Sequence, residues 1–389
     1  MSFELVPLGD LGDIVSGSTP DTTNKSYWGG DISWITPADL TDHEGVYFTG
    51  NLRKITEAGY KSCSTKMLPA GSILFSSRAP IGHCAVTSFP LCTNQGFKSI
   101  IPNERLDPVY GFFALKFFKP QIKAIGRGAT FAEVNKELFE NFRIPLPPLA
   151  EQERIADLLS RADRLRRLRR YARRLGDTYL QSVFVEMFGD PIKSNPQGKK
   201  ICELREICSR ITDGTHQPPK WAESGIPFIF VSNIVDGKIM FDTRKFISDE
   251  TWRELQKRCP IEINDILYTI VGSYGNAALV ETVRRFSFQR HIAHVKPNVI
   301  KIQPEFLLGM MQSFSFREQV ERQVRGVAQK TLNLKELQEI KVFVPPCNEQ
   351  EKYITLRRVY ERLRTQQAES ERQAEGLFQS LLHEAFSQG

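Results

Sequence analysis

One stretch of this chain occurs twice at a fixed separation. Residues 147–155 read PPLAEQERI and residues 345–353 read PPCNEQEKY, an offset of 345 − 147 = 198. Upstream, Arg127-Gly128 meets Arg325-Gly326 and Asn135 meets Asn333; downstream, Gln181-Ser182, Glu186 and Phe188 meet Gln379-Ser380, Glu384 and Phe386. No gap is needed over roughly 60 residues. A period of this length is far too long for a solenoid and means two copies of a whole domain-plus-helix unit.

The repeated stretch itself predicts a long helix. Between Pro148 and Pro191 there is no proline, and the first glycine is Gly176. Apolar residues fall at Ile155, Leu158, Leu159, Ala162, Leu165, Leu168, Ala172, Leu175, Tyr179, Val183 and Phe184, in steps of three and four that mark one helical face. About 40 residues at 1.5 Å each make a rod of roughly 60 Å. Such a rod in mid-chain is a spacer or a pairing surface. Two stripes of matching register favour packing the two helices against each other as an antiparallel pair.

The segments before each helix share an order of elements. The expected layout is 1–146, a first α/β module; 147–190, the central long helix; 191–198, a Pro/Gly/Asn-rich linker; 199–344, a second module; and 345–389, the C-terminal long helix. In the first module DISWITPADL and MLPAGSILFSSRAPIGHCAVTS read as strands and loops, and PVYGFFALKFFKPQIKAIG as one helix packed on the sheet. In the second, GIPFIFVSNI matches DISWITPADL, and INDILYTIVGSYGNAALV matches AGSILFSSRAPIGHCAV with Ile81-Gly82 on Tyr274-Gly275; Gln95 falls near Gln289. The fold class is therefore α+β: two tandem α/β modules, each followed by a long helix, with pseudo-two-fold symmetry. The loops differ between the halves (SGSTPDTTNKSYWGGD against TDGTHQPPKWAESG), which points to two related but distinct binding sites on one scaffold.

Composition narrows the function. With 41% hydrophobic and 25% charged residues the chain is an ordinary globular protein, and no run of about 20 apolar residues suggests a membrane span. The N-terminus does not read as a signal peptide. Seven scattered cysteines without a CxxC pair look like free thiols of a reducing compartment, with the cytoplasm as the default. A net charge of +7 is compatible with nucleic-acid binding. Residues 154–174 hold nine arginines and no lysine, whereas the second helix interleaves Arg with Glu. The arginine stripe is a solvated face, a phosphate-facing surface or a contact for an acidic partner.

Catalytic motifs fail one by one. GDIVSGST lacks the lysine of a phosphate-binding loop. His291 and His294 form HxxH without the glutamate of a zinc helix, in a strand-like segment. Ser76-Ser77 lacks the context of a nucleophile elbow. The double prolines read QPPK, PPL and PPC, not the Asn/Asp-Pro-Pro-Tyr/Phe of a base-flipping amino-methyltransferase, and no carboxylates pair at a convincing spacing. The expectation is a binding protein without catalysis or metal.

The segments VPLGDLGDIVSGSTP, YWGGDISWITPADL, GSILFSSRAPIG and TNQGF, and above all IPLPPLAEQERIADLL with its echo VFVPPCNEQEKY, resemble the specificity subunit (HsdS) of type I restriction-modification systems over the whole chain. The resemblance implies two target-recognition domains, one for each half of a split double-stranded DNA target, with the helices, paired as a coiled coil, setting the gap. It implies two modification (methyltransferase) subunits and restriction (translocase/nuclease) subunits as partners. These would hold the S-adenosylmethionine, ATP and Mg, leaving this chain no cofactor. DNA contacts are then expected from Ser18, Thr19, Lys25, Tyr27, Trp28, Arg78 and Arg127, and from Thr215, His216, Lys220, Trp221, Ser273, Tyr274, Arg290 and Arg325. Trp28, Trp221 and Tyr274 could instead be half-buried loop anchors, and Arg127 and Arg325 could pair with carboxylates. The acids of the EQE segments suit a helix N-terminus. The competing readings are a two-module coiled-coil adaptor for proteins, which would lack salt-dependent DNA affinity, and a lone DNA-modifying enzyme.

Overall fold

The structure is a computed structural model that describes residues 3–50, 52–78, 80–126, 133–177, 179–189, 200–326 and 330–387. Arg127 and the proposed 191–198 linker lie outside the described residues.

The duplication read from the helices runs through the sheets. In the first half Gly12–Ser16 (β1), Trp28–Ile35 (β2), Ile73–Phe75 (β3), Cys84–Thr87 (β4), Cys92–Thr93 (β5) and Lys98–Pro102 (β6) carry the framework. In the second half the same places are taken by Cys208–Asp213 (β7), Ile226–Ile229 (β8), Ile266–Thr269 (β9), Ala277–Leu279 (β10), Ser287–Phe288 (β11) and Ile292–Pro297 (β12). One sheet runs β1-β6-β3-β4 and its counterpart β7-β12-β9-β10, with these neighbours antiparallel. A second sheet pairs β2 parallel to β5, and β8 parallel to β11. The central strands β3 and β9 are buried at every residue, so they read as continuous apolar runs rather than alternating ones.

The helix expected over 108–126 is two: Pro108–Phe117 (α1) and Lys119–Ile125 (α2). Pro120 falls in the first turn of the second, where its missing N–H costs nothing. The central helix comprises Leu149–Asp177 (α3) and Tyr179–Phe188 (α4), the second half opens its core helix at Pro304–Met311 (α5), and the C-terminal helix is Cys347–Phe386 (α6). Among the described residues no helix is long and apolar enough to cross a membrane.

The chain forms two compact units, the first of them built from two separate stretches of sequence. One contains residues 1–173 and 366–389, the other 174–365. Each long helix therefore gives one part to each unit. In the first unit Ile155, Leu159 and Ala162 of α3 and Phe378, Leu382 and Phe386 of α6 enter the core formed by Ile73, Phe75, Tyr110 and Phe113. In the second unit Phe184 and Phe188 of α4 and Tyr353 of α6 enter the core around Phe306 and Phe343.

Part of the apolar stripe is thus spent on the recognition segments. Leu158, Leu165, Leu168, Leu175 and Tyr179 remain exposed. Where α3 and α6 run antiparallel in the first unit, Arg166 and Arg170 reach Glu375 at 3.1 and 3.5 Å, and Arg173 reaches Glu371 at 2.6 Å. At Arg166, Arg170 and Arg173 the arginine excess of one helix meets the glutamates of the other.

The glutamine of the PPxxEQE echo anchors each long helix. Gln152, 1% exposed, accepts from the Asp107 N–H at 2.9 Å and donates to the Arg105 and Pro147 carbonyls, both at 2.9 Å. Gln350 repeats this, accepting from the Gln303 N–H at 2.9 Å and donating to the Pro345 carbonyl at 2.8 Å. One amide thus satisfies donors and acceptors that water does not reach. Gln152→Leu orphans three backbone groups and is expected to cost about 3 kcal/mol. Gln152→Glu sets a carboxylate against two carbonyls and should cost at least as much, both read as lowered midpoints in chemical denaturation of the full chain.

A second anchor is ionic. Asp163 of α3, 1% exposed, holds Arg166 at 2.7 Å, Arg167 at 2.8 Å and Lys116 of α1 at 3.7 Å. Burial raises its carboxyl pKa, but Lys116, Arg166 and Arg167 outweigh burial and leave it below the ordinary value. A lowered folded pKa contributes stability above the unfolded value of about 3.9, and that contribution fades as pH falls through the folded one. Asp163→Asn should therefore lose about 3 kcal/mol at pH 7. The gap to the parent should close in acid, as followed by thermal melts across pH.

Candidate nucleic-acid interface

Three loops in each half are stitched together by backbone, in the same way. Gly17 follows β1 so close to β5 that a Cβ on it would sit 2.0 Å from the Thr93 carbonyl oxygen; Gly214 after β7 stands likewise at 2.3 Å from that of Phe288. The next residues, Ser18 and Thr215, donate their N–H to those carbonyls at 3.0 and 3.3 Å. Asn94 donates to the Ile35 carbonyl and Gln289 to that of Ile229. Ser77 donates to Gly96 and accepts from Val134; Ile270 donates to His291 and accepts from Leu332. These bonds put Gln95 on Arg290, one residue from the expected Gln289. They confirm Gly82 on Gly275, both at φ +92°, a conformation that favours glycine.

The hydroxyls of Ser76 and Thr269 brace these loops. Ser76 Oγ donates to the Pro80 carbonyl at 2.7 Å and accepts from His83 N–H at 2.8 Å. Thr269 Oγ1 donates to the Ser273 carbonyl at 2.8 Å and accepts from Asn276 N–H at 2.9 Å. Ser76 and Ser77 are buried and serve turn geometry.

In the first half the loops enclose a cleft of about 380 Å³ lined by Thr36, Pro37, Thr41, Arg78, Asn94 and Gln95. Thr19 joins them by donating its hydroxyl to Gln95 Oε1 at 2.6 Å. Arg78 is held by Glu133 at 3.0 Å, and Glu133 also meets the buried Lys98 at 3.6 Å. Burial lowers the Lys98 pKa, with Glu133 opposing. Ser18 lies behind, its carbonyl accepting from the Trp34 indole at 3.0 Å. Lys25, Tyr27 and Trp28 do not line this cleft: Lys25–Tyr27 is a short turn leading into β2. Trp28 is a half-buried anchor, its indole donating to the Asp21 carbonyl at 3.1 Å and its ring edge-on to Trp34 at 5.2 Å.

In the second half Thr215, Ser273, Tyr274 and Arg290 belong to the corresponding three loops. Arg290 and Ser273 are exposed, and Arg290 N–H donates to the Thr215 carbonyl at 3.1 Å. His216 Nε2 lies 2.8 Å from one oxygen of Asp213, and Arg258 approaches the other oxygen of that carboxylate at 3.3 Å. Lys220 is exposed. Trp221, 42% exposed, packs edge-on to Phe228 at 5.1 Å with the Lys245 ammonium over its ring at 5.2 Å. Tyr274 is partly buried, with the Lys330 ammonium 5.9 Å from its ring. Arg325 pairs with Glu336 at 3.1 Å while its side chain stays 78% exposed.

His294 is buried in β12, with Nδ1 2.9 Å from the Cys259 thiol and Nε2 2.6 Å from Asp265. Burial pushes that thiol up to about 11, so it is protonated and suited to donate to the imidazole. Both ring nitrogens are spent on packing three segments together. Sequence reasoning missed Thr36, Asn94 and Gln95 in the cleft and Gln152, Gln350 and Asp163 in the anchors. The signal was present for the glutamines: an uncharged residue between two glutamates, repeated at the 198-residue offset.

Comparison with known proteins bears on this arrangement. A family model described as Type I restriction modification DNA specificity domain matches residues 2–172 and again 196–370. The chain is 29% identical over 364 residues to the type I restriction enzyme MjaIX specificity subunit of Methanocaldococcus jannaschii, spanning 88% of this chain and 83% of that protein. It is 28% identical over 299 residues to the EcoBI specificity subunit of Escherichia coli, spanning 70% and 62%. Among solved structures, a chain from work on complex assembly and conformational transition of the type I R-M system matches with a TM-score of 0.60 at 21% identity, over 99% of this chain and 97% of that one. The S subunit from M. genitalium matches at 0.56 and 16% identity, over 99% and 96%. With the specificity domain present twice, and with the same four-strand order and loop stitching in each copy, the chain belongs to the family of type I restriction-modification DNA specificity subunits.

Proposed function

We propose that the chain reads a split, asymmetric DNA target, one recognition segment (1–146 and 199–344) per half-site, without catalysing a reaction itself. The observation that carries this reading is one loop scaffold presenting different side chains in its two copies. Where the first half offers Thr19, Arg78, Asn94 and Gln95, the second offers His216, Gln289 and Arg290. Amides and guanidinium forks are the groups that discriminate adenine and guanine edges in the major groove. Different groups at equivalent places read different bases. Lys25, Lys220 and Arg325, all exposed, suit phosphate contacts.

The long helices also suit a scaffold for partners. Leu158, Leu165 and Leu168 stay exposed on one side of α3 despite the core available to its other side. An apolar strip of this kind is what a bound subunit would cover. The partners proposed are two modification subunits, supplying S-adenosylmethionine, and restriction subunits, supplying the ATP- and Mg-dependent steps. Cytoplasmic location follows from that role.

Co-expression with a modification subunit, followed by mapping of methylated adenines, tests the reading. A split target with unlike halves is expected; a palindromic target or absence of methylation overturns it. Gln95→Ala and Arg290→Ala should each relax base preference at one position of one half-site only, costing about 1–3 kcal/mol of discrimination there. Equal loss across both halves would show that the two loops do not read separately.

A further inference from the structure

A second cavity, of about 240 Å³, lies in the first unit between α3, the α1–α2 junction and the loop before residue 46. Five cationic side chains line it: Lys116, Lys119, Arg166, Arg167 and Arg170. His43 completes the wall, and its Nε2 is buried without a hydrogen-bond partner. We propose that this cavity binds a phosphate group.

The charge balance favours an anion. Asp163 spreads over Lys116, Arg166 and Arg167; Glu44 meets Arg170 at 3.1 Å; Glu375 is shared by Arg166 and Arg170. Glu371 lies nearer Arg173, at 2.6 Å, than Arg170, at 3.7 Å. Five cations therefore stand against three carboxylates, and Lys119 has no ion pair among the described residues. Burial, and then Arg167, depress the His43 pKa, and burial lowers that of Lys116 with Arg166 and Arg167 adding to it. Guanidinium forks and ammonium groups converging from three helices suit the oxygens of a phosphate.

Two glycines shape the wall. Gly45, at φ +113°, brings its backbone to the Arg167 guanidinium, where a Cβ would lie 3.2 Å from Nη1. Gly82 lets the Lys119 stem cross it, where a Cβ would lie 2.6–2.7 Å from three of the stem's carbons.

The second copy of the repeat lacks this charge. At the 198-residue offset Thr365 and Ala368 stand for Arg167 and Arg170, while Arg364 and Glu361 stand for Arg166 and Asp163. Counted from Pro108 and Pro304, which open equivalent helices, Gln312 stands for Lys116. There Gln312 accepts from Arg357 at 2.9 Å, Arg357 approaches Glu361 at 3.7 Å, and Arg364 pairs with Asp236 at 3.3 Å. Two cations face two carboxylates. The scaffold alone does not require the cluster.

The phosphate could be a free anion or belong to a DNA backbone. Calorimetric titration of the full chain with inorganic phosphate at low ionic strength tests the site, with Lys116→Gln/Arg167→Thr copying the second unit. Lys119→Gln, which breaks no ion pair seen here, guards against loss of fold. Saturable binding is expected, weakened about tenfold or more by either variant while thermal melts of Lys119→Gln stay unchanged. A parallel titration with non-target duplex separates the sources. If phosphate competes with duplex and the variants flatten its salt dependence, the group belongs to DNA; if duplex binding is unchanged, the ligand is a free phosphoanion. Absence of saturable phosphate binding, or binding unaffected in both variants, overturns the proposal.

Discussion

The fold depends on a neutral side chain in a place where water does not reach. Gln152 and Gln350 each close the seam between a recognition segment and the start of a long helix, at Asp107 and Pro147 in one copy and Gln303 and Pro345 in the other. A charged neighbour could not do this: a carboxylate only accepts, an ammonium only donates, and the seam presents both needs at once. The flanking glutamates stay at the surface, and Glu151 pairs with Arg154 at 2.8 Å. The helix direction is therefore set by an uncharged amide, and the acids around it suit the helix N-terminus.

With that seam fixed, the rest of the helix is shared out by chemistry. Its first turns enter an aliphatic and aromatic core through Ile155, Leu159 and Ala162. Its middle is ionic, built on Asp163 and the arginines that reach Glu371 and Glu375. Its end turns aromatic again at Phe184 and Phe188, within the other unit. The unlike charge of the two helices, puzzling in isolation, becomes complementarity once they lie antiparallel.

The duplication, the paired long helices and the family were legible in the sequence because a fixed offset and a helical apolar period are one-dimensional signals. The identity of the interface was less so. TNQGF and SWITPADL were recognisable as motifs, but that Gln95, Thr19 and Arg78 share a cleft depends on the approach of Gly17 to the Thr93 carbonyl and on the bond from Ser77 to the Gly96 carbonyl, which no spacing encodes. Trp28 shows the reverse: an aromatic residue in a polar loop suggests a ligand, yet its indole N–H and ring edge are both taken within the segment. The break at Phe118 was hidden because the apolar pattern continues across it, and only Pro120 marks the new start.

The route of the chain has a consequence for synthesis. Phe378, Leu382 and Phe386 belong to the core of the unit that begins at the N-terminus, where Phe386 lies 5.2 Å from Tyr110 and Phe378 lies 6.1 Å from Phe113. On the ribosome, the first segment to emerge is the last to be completed. Until residues 366–386 leave the exit tunnel, its apolar face is open, whereas residues 174–365 of the second unit are already made. Loss of residues 366–386 should therefore injure the first recognition segment first.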